Sequence, residues 1–120
     1  MTKILIVDDH PDIRQLIRLT LGSNYEIYEA VDATSALRLA REHQPRIVVL
    51  DIMMPGEMDG LLALQAIRSD ATLTETKVIM VTARASDNDK ATALEYGADG
   101  YFCKPFSPLQ LVNSIKGLIG

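Results

Sequence analysis

Five residues able to do chemistry sit directly behind short apolar runs. Asp8 and Asp9 follow Ile4-Leu5-Ile6-Val7, and Asp51 follows Ile47-Val48-Val49-Leu50. Thr82 follows Val78-Ile79-Met80-Val81, and Lys104 follows Tyr101-Phe102-Cys103. One Asp in such a place is ordinarily a helix cap or a turn residue. Three carboxylates, a hydroxyl and an ammonium behind four separate runs read instead as one site. Ionised carboxylates brought together repel, and Lys104 alone cannot neutralise three of them. A hard divalent cation can, because Mg²⁺ takes carboxylates, waters and a phosphate oxygen together. A phosphoryl group completes the set: the cation and Lys104 offset its oxygens, and Thr82 donates a hydrogen bond to one of them. Asp51 is then the nucleophile, carrying an aspartyl phosphate as intermediate or product.

The runs themselves must be strands. Ile4–Val7, Ile47–Leu50 and Val78–Val81 are continuously apolar or nearly so, as in strands covered on both faces of a parallel sheet. Tyr25–Ala30 alternates through Glu26 and Glu29, which suits an edge strand, and Tyr101–Cys103 is a weaker fifth. Helical spacing lies between them: Ile13, Leu16, Ile17 and Leu21 with Gly22 as a stop, then Ala33, Ala36, Leu37 and Ala40 ending before Pro45. Gly60–Ser69 is the third helix, with Leu64 and Ile67 as core candidates, and Ala91–Tyr96 is the fourth, closing at Gly97. The fifth starts with Ser107 as N-cap, Pro108 at the first helical position and Gln110 in a capping box; its stripe is Leu111, Val112, Ile115, Leu118 and Ile119. Five βα units with right-handed crossovers make an α/β fold, an open, doubly wound, five-stranded parallel sheet. In such sheets ligands bind beyond the carboxyl ends of the strands, where the five residues stand.

Composition narrows the classes. The 120 residues suit one domain, 1–120, and a chain this long buries roughly 65% of the surface it exposes when unfolded. Net charge is −4, a poor balance for binding nucleic acid directly. The single cysteine excludes an internal disulfide framework and a cysteine-based zinc site. No apolar run exceeds four residues, so no membrane span is expected, and Asp8 and Asp9 interrupt any signal-peptide pattern. The cytoplasm is the expected location. Neither G-x-G-x-x-G nor G-x-x-x-x-G-K-[ST] occurs, so the nucleotide-binding folds that use them are set aside.

The chain resembles, over essentially its whole length, the receiver domain of bacterial two-component response regulators. The matching stretches are Ile4-Leu5-Ile6-Val7-Asp8-Asp9, Val49-Leu50-Asp51-Ile52-Met53-Met54-Pro55, Met58-Asp59-Gly60, Val81-Thr82-Ala83 and Lys104-Pro105-Phe106. The resemblance implies a flavodoxin-like (βα)5 fold with strand order 2-1-3-4-5, the family's own order, which puts the first and third strands together at a switch point. It implies that Asp51 accepts a phosphoryl group from a histidine kinase phosphohistidine. Asp8 and Asp9 would hold Mg²⁺ with Asp51, helped by the backbone carbonyl of Met53. Thr82 and Lys104 would contact the phosphoryl group, a cis Lys104-Pro105 peptide would aim the ammonium, and Tyr101 would be the aromatic switch. The implied partners are a sensor histidine kinase or phosphotransfer protein and a downstream output domain or protein. The output would be read on the fourth helix, fifth strand and fifth helix, including Glu95 and Tyr101. The domain would be a phosphoacceptor regulator rather than an enzyme, assisting its own phosphoryl transfer and autodephosphorylation.

Three departures from the family pattern stand out. Gly56-Glu57 lengthens the loop beside Asp51 by one residue. Gly100 stands where winged-helix regulators often carry an Asp, and Asn113 and Ser114 stand where they usually place an Arg. A monomer or a weak dimer is therefore expected. A phosphatase resembling the haloacid dehalogenase group also uses a nucleophilic Asp, but Asp51-Ile52-Met53 lacks that group's second Asp. A degenerate receiver serving only as a binding module would not keep all five site residues. Among single residues, Asp59 reads as a helix cap, His10 as a helix-start residue beside the pocket, His43 as solvated and Cys103 as a small buried residue. Met53 and Met54 read as packing residues, and Arg38, Arg41, Arg46 and Arg68 as solvated faces.

Overall fold

The computed structural model describes residues 1–83 and 86–119. Five strands, β1 (Thr2–Val7), β2 (Tyr25–Ala30), β3 (Ile47–Leu50), β4 (Lys77–Thr82) and β5 (Gly100–Cys103), form one parallel sheet in the order β2-β1-β3-β4-β5. The helices are α1 (Pro11–Leu21), α2 (Ala33–His43), α3 (Gly60–Ser69), α4 (Asp87–Glu95) and α5 (Pro108–Ile119), with a 3₁₀ turn at Ala71–Leu73. The fold class and strand order are those expected.

The continuous apolar runs have the reason proposed for them. Ile4, Ile6, Ile47, Val49, Ile79 and Val81 pack on one face with Ile17 and Leu21 of α1 and Leu111, Val112 and Ile115 of α5. Leu5, Val7, Val48, Leu50, Val78 and Met80 point to the other face, against α2, α3 and Ala93 of α4. Both sides of each strand are dry, so alternation disappears. The alternation expected for β2, at the edge, is not strict: its two exposed residues, Glu26 and Glu29, are three apart and fall on opposite faces of the sheet.

Register carries the ends of the strands to one place. Val7 pairs with Ala30 on one side and Leu50 on the other, and Leu50 pairs with Met80. The ladder runs one step beyond the strands: Asp51 N–H donates to Val7 O at 3.2 Å and Lys104 N–H to Thr82 O at 2.8 Å. Asp8 and Asp51 therefore leave adjacent strands at the same level.

Several expectations need correction. α4 begins at Asp87, ahead of the expected Ala91, because Ser86 Oγ caps it by accepting from Asp89 N–H and its first turn carries Asp87 and Asp89. Leu16 is exposed although it fits the α1 spacing. His43 is not simply solvated; its ring stacks on Tyr28 with centroids 3.9 Å apart. Arg41 pairs with Asp70 at 3.1 Å, and half-buried Arg68 donates to Thr76 O, so neither is a bare solvated charge. Cys103 is exposed rather than buried, since it ends an edge strand. No helix among the described residues is long and apolar enough to cross a membrane.

Candidate functional site

β1 and β3 flank the point where the chain turns from one side of the sheet to the other, and Asp8 and Asp51 stand at their ends. Both carboxylates are buried. Between them lies the Lys104 ammonium, brought from beyond β5, 2.7 Å from Asp8 Oδ2 and 2.9 Å from Asp51 Oδ2. The Lys104-Pro105 peptide is cis. The second oxygen of Asp51 accepts from Met53 N–H at 3.0 Å. The second oxygen of Asp8 accepts from His10 N–H at 2.9 Å, and the His10 ring nitrogen Nδ1 is 2.9 Å from the same oxygen. That ring nitrogen is also 3.1 Å from Asp9 Oδ1, at the exposed rim.

These contacts set the charge states. Burial pushes the Asp8 carboxyl up, but hydrogen bonds from Lys104 and His10 outweigh it and hold the group below its ordinary value. Burial likewise favours neutral Lys104, yet its hydrogen bonds to Asp8 and Asp51 prevail and raise it. The hydrogen bond to Asp8, then the charges of Asp9 and Asp8, raise His10.

A groove of about 460 Å³ opens onto this cluster, lined among others by Asp9, His10, Asp51, Met53 and Lys104. Asp8, Asp9, His10 and Asp51 each offer a ligand atom, all within 4.8 Å of one another. Hard carboxylate oxygens in a solvent-open groove are the donors Mg²⁺ takes, with waters completing its shell. Met53 shows its amide to Asp51, and its side chain is exposed rather than packed.

Thr82 is buried at the end of β4, next to Lys104 through its carbonyl. Tyr101 lies on β5 beside Met80, half-buried against the α2–α3 side of the core. Asp59 is a cap as expected, accepting from Leu62 N–H at 3.0 Å. Gly100 and Ser114 do face each other: a Cβ on Gly100 would lie 3.8 Å from Ser114 Oγ. No charge pair can form there.

Two supports had little sequence signal. Arg14 donates to the backbone carbonyl of Asp8 at 2.7 Å while its Nε meets Glu29 at 2.9 Å, tying the loop after β1 to β2. Only its place on the first turns of α1 hinted at this. Gly60 N–H donates to Ile52 O at 2.8 Å, and a Cβ there would lie 2.0 Å from Asp51 O. The start of α3 thus presses on the backbone that carries Asp51.

Residues 4–116 match the family model of the response regulator receiver domain. The probable transcriptional regulator ycf27 of Guillardia theta is 41% identical over 118 residues, 98% of this chain and 45% of that protein. The phosphate regulon transcriptional regulatory protein PhoB of Klebsiella pneumoniae is 37% identical over 118 residues, 98% of this chain and 51% of its own length. The chain spans about half the length of the curated relatives it matches. Among solved structures, the chemotaxis protein CheY4 of Vibrio cholerae superposes with a TM-score of 0.89 at 32% identity, covering 98% of each chain.

Proposed function

This chain belongs to the receiver-domain family of response regulators, and on that premise we propose that residues 1–120 form one phosphoacceptor switch with Asp51 as acceptor. An oxygen of Asp51 bonds to phosphorus as the P–N bond of a kinase or phosphotransfer-protein phosphohistidine breaks, and the donor imidazole takes a proton. The observation that carries this reading is the Lys104 ammonium held between Asp8 and Asp51. An incoming phosphoryl group offers it a third set of oxygens. Asp8, Asp9 and Asp51, with the Met53 carbonyl, would hold Mg²⁺, which supplies positive charge against the carboxylates and the phosphoryl oxygens. Thr82 and Lys104 then bind the phosphoryl group, and the same open groove admits water for autodephosphorylation.

Readout follows from neighbours in the sheet. Thr82 ends β4, and Tyr101 sits beside Met80 two residues before that end. Movement of the Thr82 hydroxyl toward the phosphoryl group frees space into which Tyr101 turns, shifting a population between two packings of the face made by α4, β5 and α5. An output domain or protein reads that face. The Gly100–Ser114 pairing supports a monomer or weak dimer.

Acetyl phosphate should label the wild-type protein with Mg²⁺ present, and Asp51→Asn or EDTA should abolish labelling. Labelling that persists in either case contradicts the assignment. Beryllofluoride should shift amide resonances around Tyr101 and α4 as well as the pocket, and Thr82→Ala should confine the shifts to the pocket. Shifts confined to the pocket in the wild type would refute the switch.

A further inference from the structure

His10 is the one donor in the cluster that the phosphoryl chemistry leaves unused. It is the N-cap residue of α1, yet its side chain makes no capping bond. The ring turns instead to the carboxylates, although 60% of the side chain remains exposed. Its Nδ1 stands 2.9 Å from Asp8 Oδ1 and 3.1 Å from Asp9 Oδ1. Without an ion these are hydrogen-bond and ion-pair distances. Two cis ligands about 2.1 Å from an octahedral ion are also about 3.0 Å apart, so release of the Nδ1 proton to solvent would let the same atoms share one ion with little movement. Arg14 ties down the loop by holding the Asp8 backbone carbonyl, and Lys104 holds the Asp8 carboxylate, so the ring faces a fixed acceptor.

We propose that His10 is a fifth protein donor, beside Asp8, Asp9, Asp51 and the Met53 carbonyl, that sets the metal preference of this site, raising its affinity for borderline dications such as Co²⁺ and Ni²⁺ without helping Mg²⁺. The inference rests on the reading of Asp8, Asp9 and Asp51 as the carboxylates of the cation. Imidazole nitrogen suits later first-row ions, whereas Mg²⁺ keeps to oxygen and water. An oxygen-only site ranks these ions by their general order; a nitrogen donor widens the gap. The competing role for the ring is that of a counter-charge to Asp8 and Asp9, which would hinder every cation alike.

Calorimetric titration of the whole chain with MgCl₂ and with CoCl₂ separates these. His10→Ala should lower Co²⁺ affinity at least about 10-fold, while Mg²⁺ affinity stays within about twofold. His10→Asn, a better N-cap, should behave the same and guards against a folding artefact. Electron spin echoes of the Mn²⁺-loaded protein should carry ¹⁴N modulation that His10→Ala removes and His43→Ala leaves. Equal changes for the two metals, a rise in both affinities, or modulation persisting in His10→Ala would overturn the proposal. Failure of the wild type to bind Mg²⁺ would instead overturn the underlying site, and Asp51→Asn losing both metals supports it.

Discussion

Lys104 reaches the site against the cost of its own burial. Its ammonium has lost much of its water and is retained by two buried carboxylates, whose hydrogen bonds raise its pKa while it lowers that of Asp8. Removing one partner of such a pair leaves uncompensated charge, and here it leaves two anions facing each other. Lys104→Ala should therefore destabilise the metal-free protein by about 1–3 kcal/mol, less than a fully sealed pair because the groove admits water. Urea unfolding in EDTA measures this, and Lys104→Met separates lost packing from lost charge. Added Mg²⁺ should recover part of the loss in both variants. At this scale the sequence showed the residue types and their order, because each stands one step past an apolar run. It could not show that His10 would turn away from its cap toward Asp8, since an exposed ring takes its direction from tertiary neighbours.

At the scale of elements, two positions depend on backbone geometry. Gly60 starts α3 so close to the end of β3 that an added Cβ would lie 2.0 Å from Asp51 O and 2.6 Å from Ile52 Cα. Backbone on both sides leaves nothing soft to yield. Gly60→Ala should cost about 2–4 kcal/mol and slow phosphorylation by acetyl phosphate, although Gly60 touches no ligand. Full stability with normal labelling would contradict this account of the approach. Gln44, at the end of α2, has φ of 50°, the left-handed region that favours glycine. Gln44→Gly should gain about 0.5–1 kcal/mol, read as a higher urea midpoint with unchanged slope. The strand runs were legible because burial on both faces removes polar residues altogether. The start of α4 was not: its first turn is polar, and α4 buries only Ala93 fully, so spacing carried almost no signal there.

For the whole molecule, carboxylates held below their ordinary values shape the response to acid: Asp8 in the pocket, Glu26 beside Tyr28, and three more at the surface. Ser35 hydrogen bonds hold Asp32 below its ordinary value, and Thr72 followed by Arg41 does the same for Asp70. Burial raises Glu29, but Arg18 and Arg14 outweigh it and leave the group lowered. A carboxyl whose folded pKa is depressed binds fewer protons than its unfolded counterpart. Its stabilisation is present above the unfolded values near about 4 and disappears as pH falls through the folded ones. Thermal stability should thus hold from neutral pH to about 5 and fall below about 4. Replacing these three by the neutral amides Asn and Gln should make that fall shallower, with Asp8 and Glu26 retaining the remainder, which thermal melts across pH would record.

The order of polar residues behind apolar runs was enough to determine five βα units, their parallel sheet and the five residues gathered at its carboxyl edge. Those features follow from local rules, since strand burial, crossover handedness and the end of each strand are all written within a few residues. Tertiary structure alone decided the rest. Pairing of Val7 with Leu50 placed Asp8 beside Asp51, and the turn beyond β5 carried Lys104 between them. Arg14 acquired its role only when β2 set Glu29 opposite it, and Gly60 only when α3 closed on β3. Contacts between residues far apart in the chain depend on register and packing, which no short stretch of sequence contains.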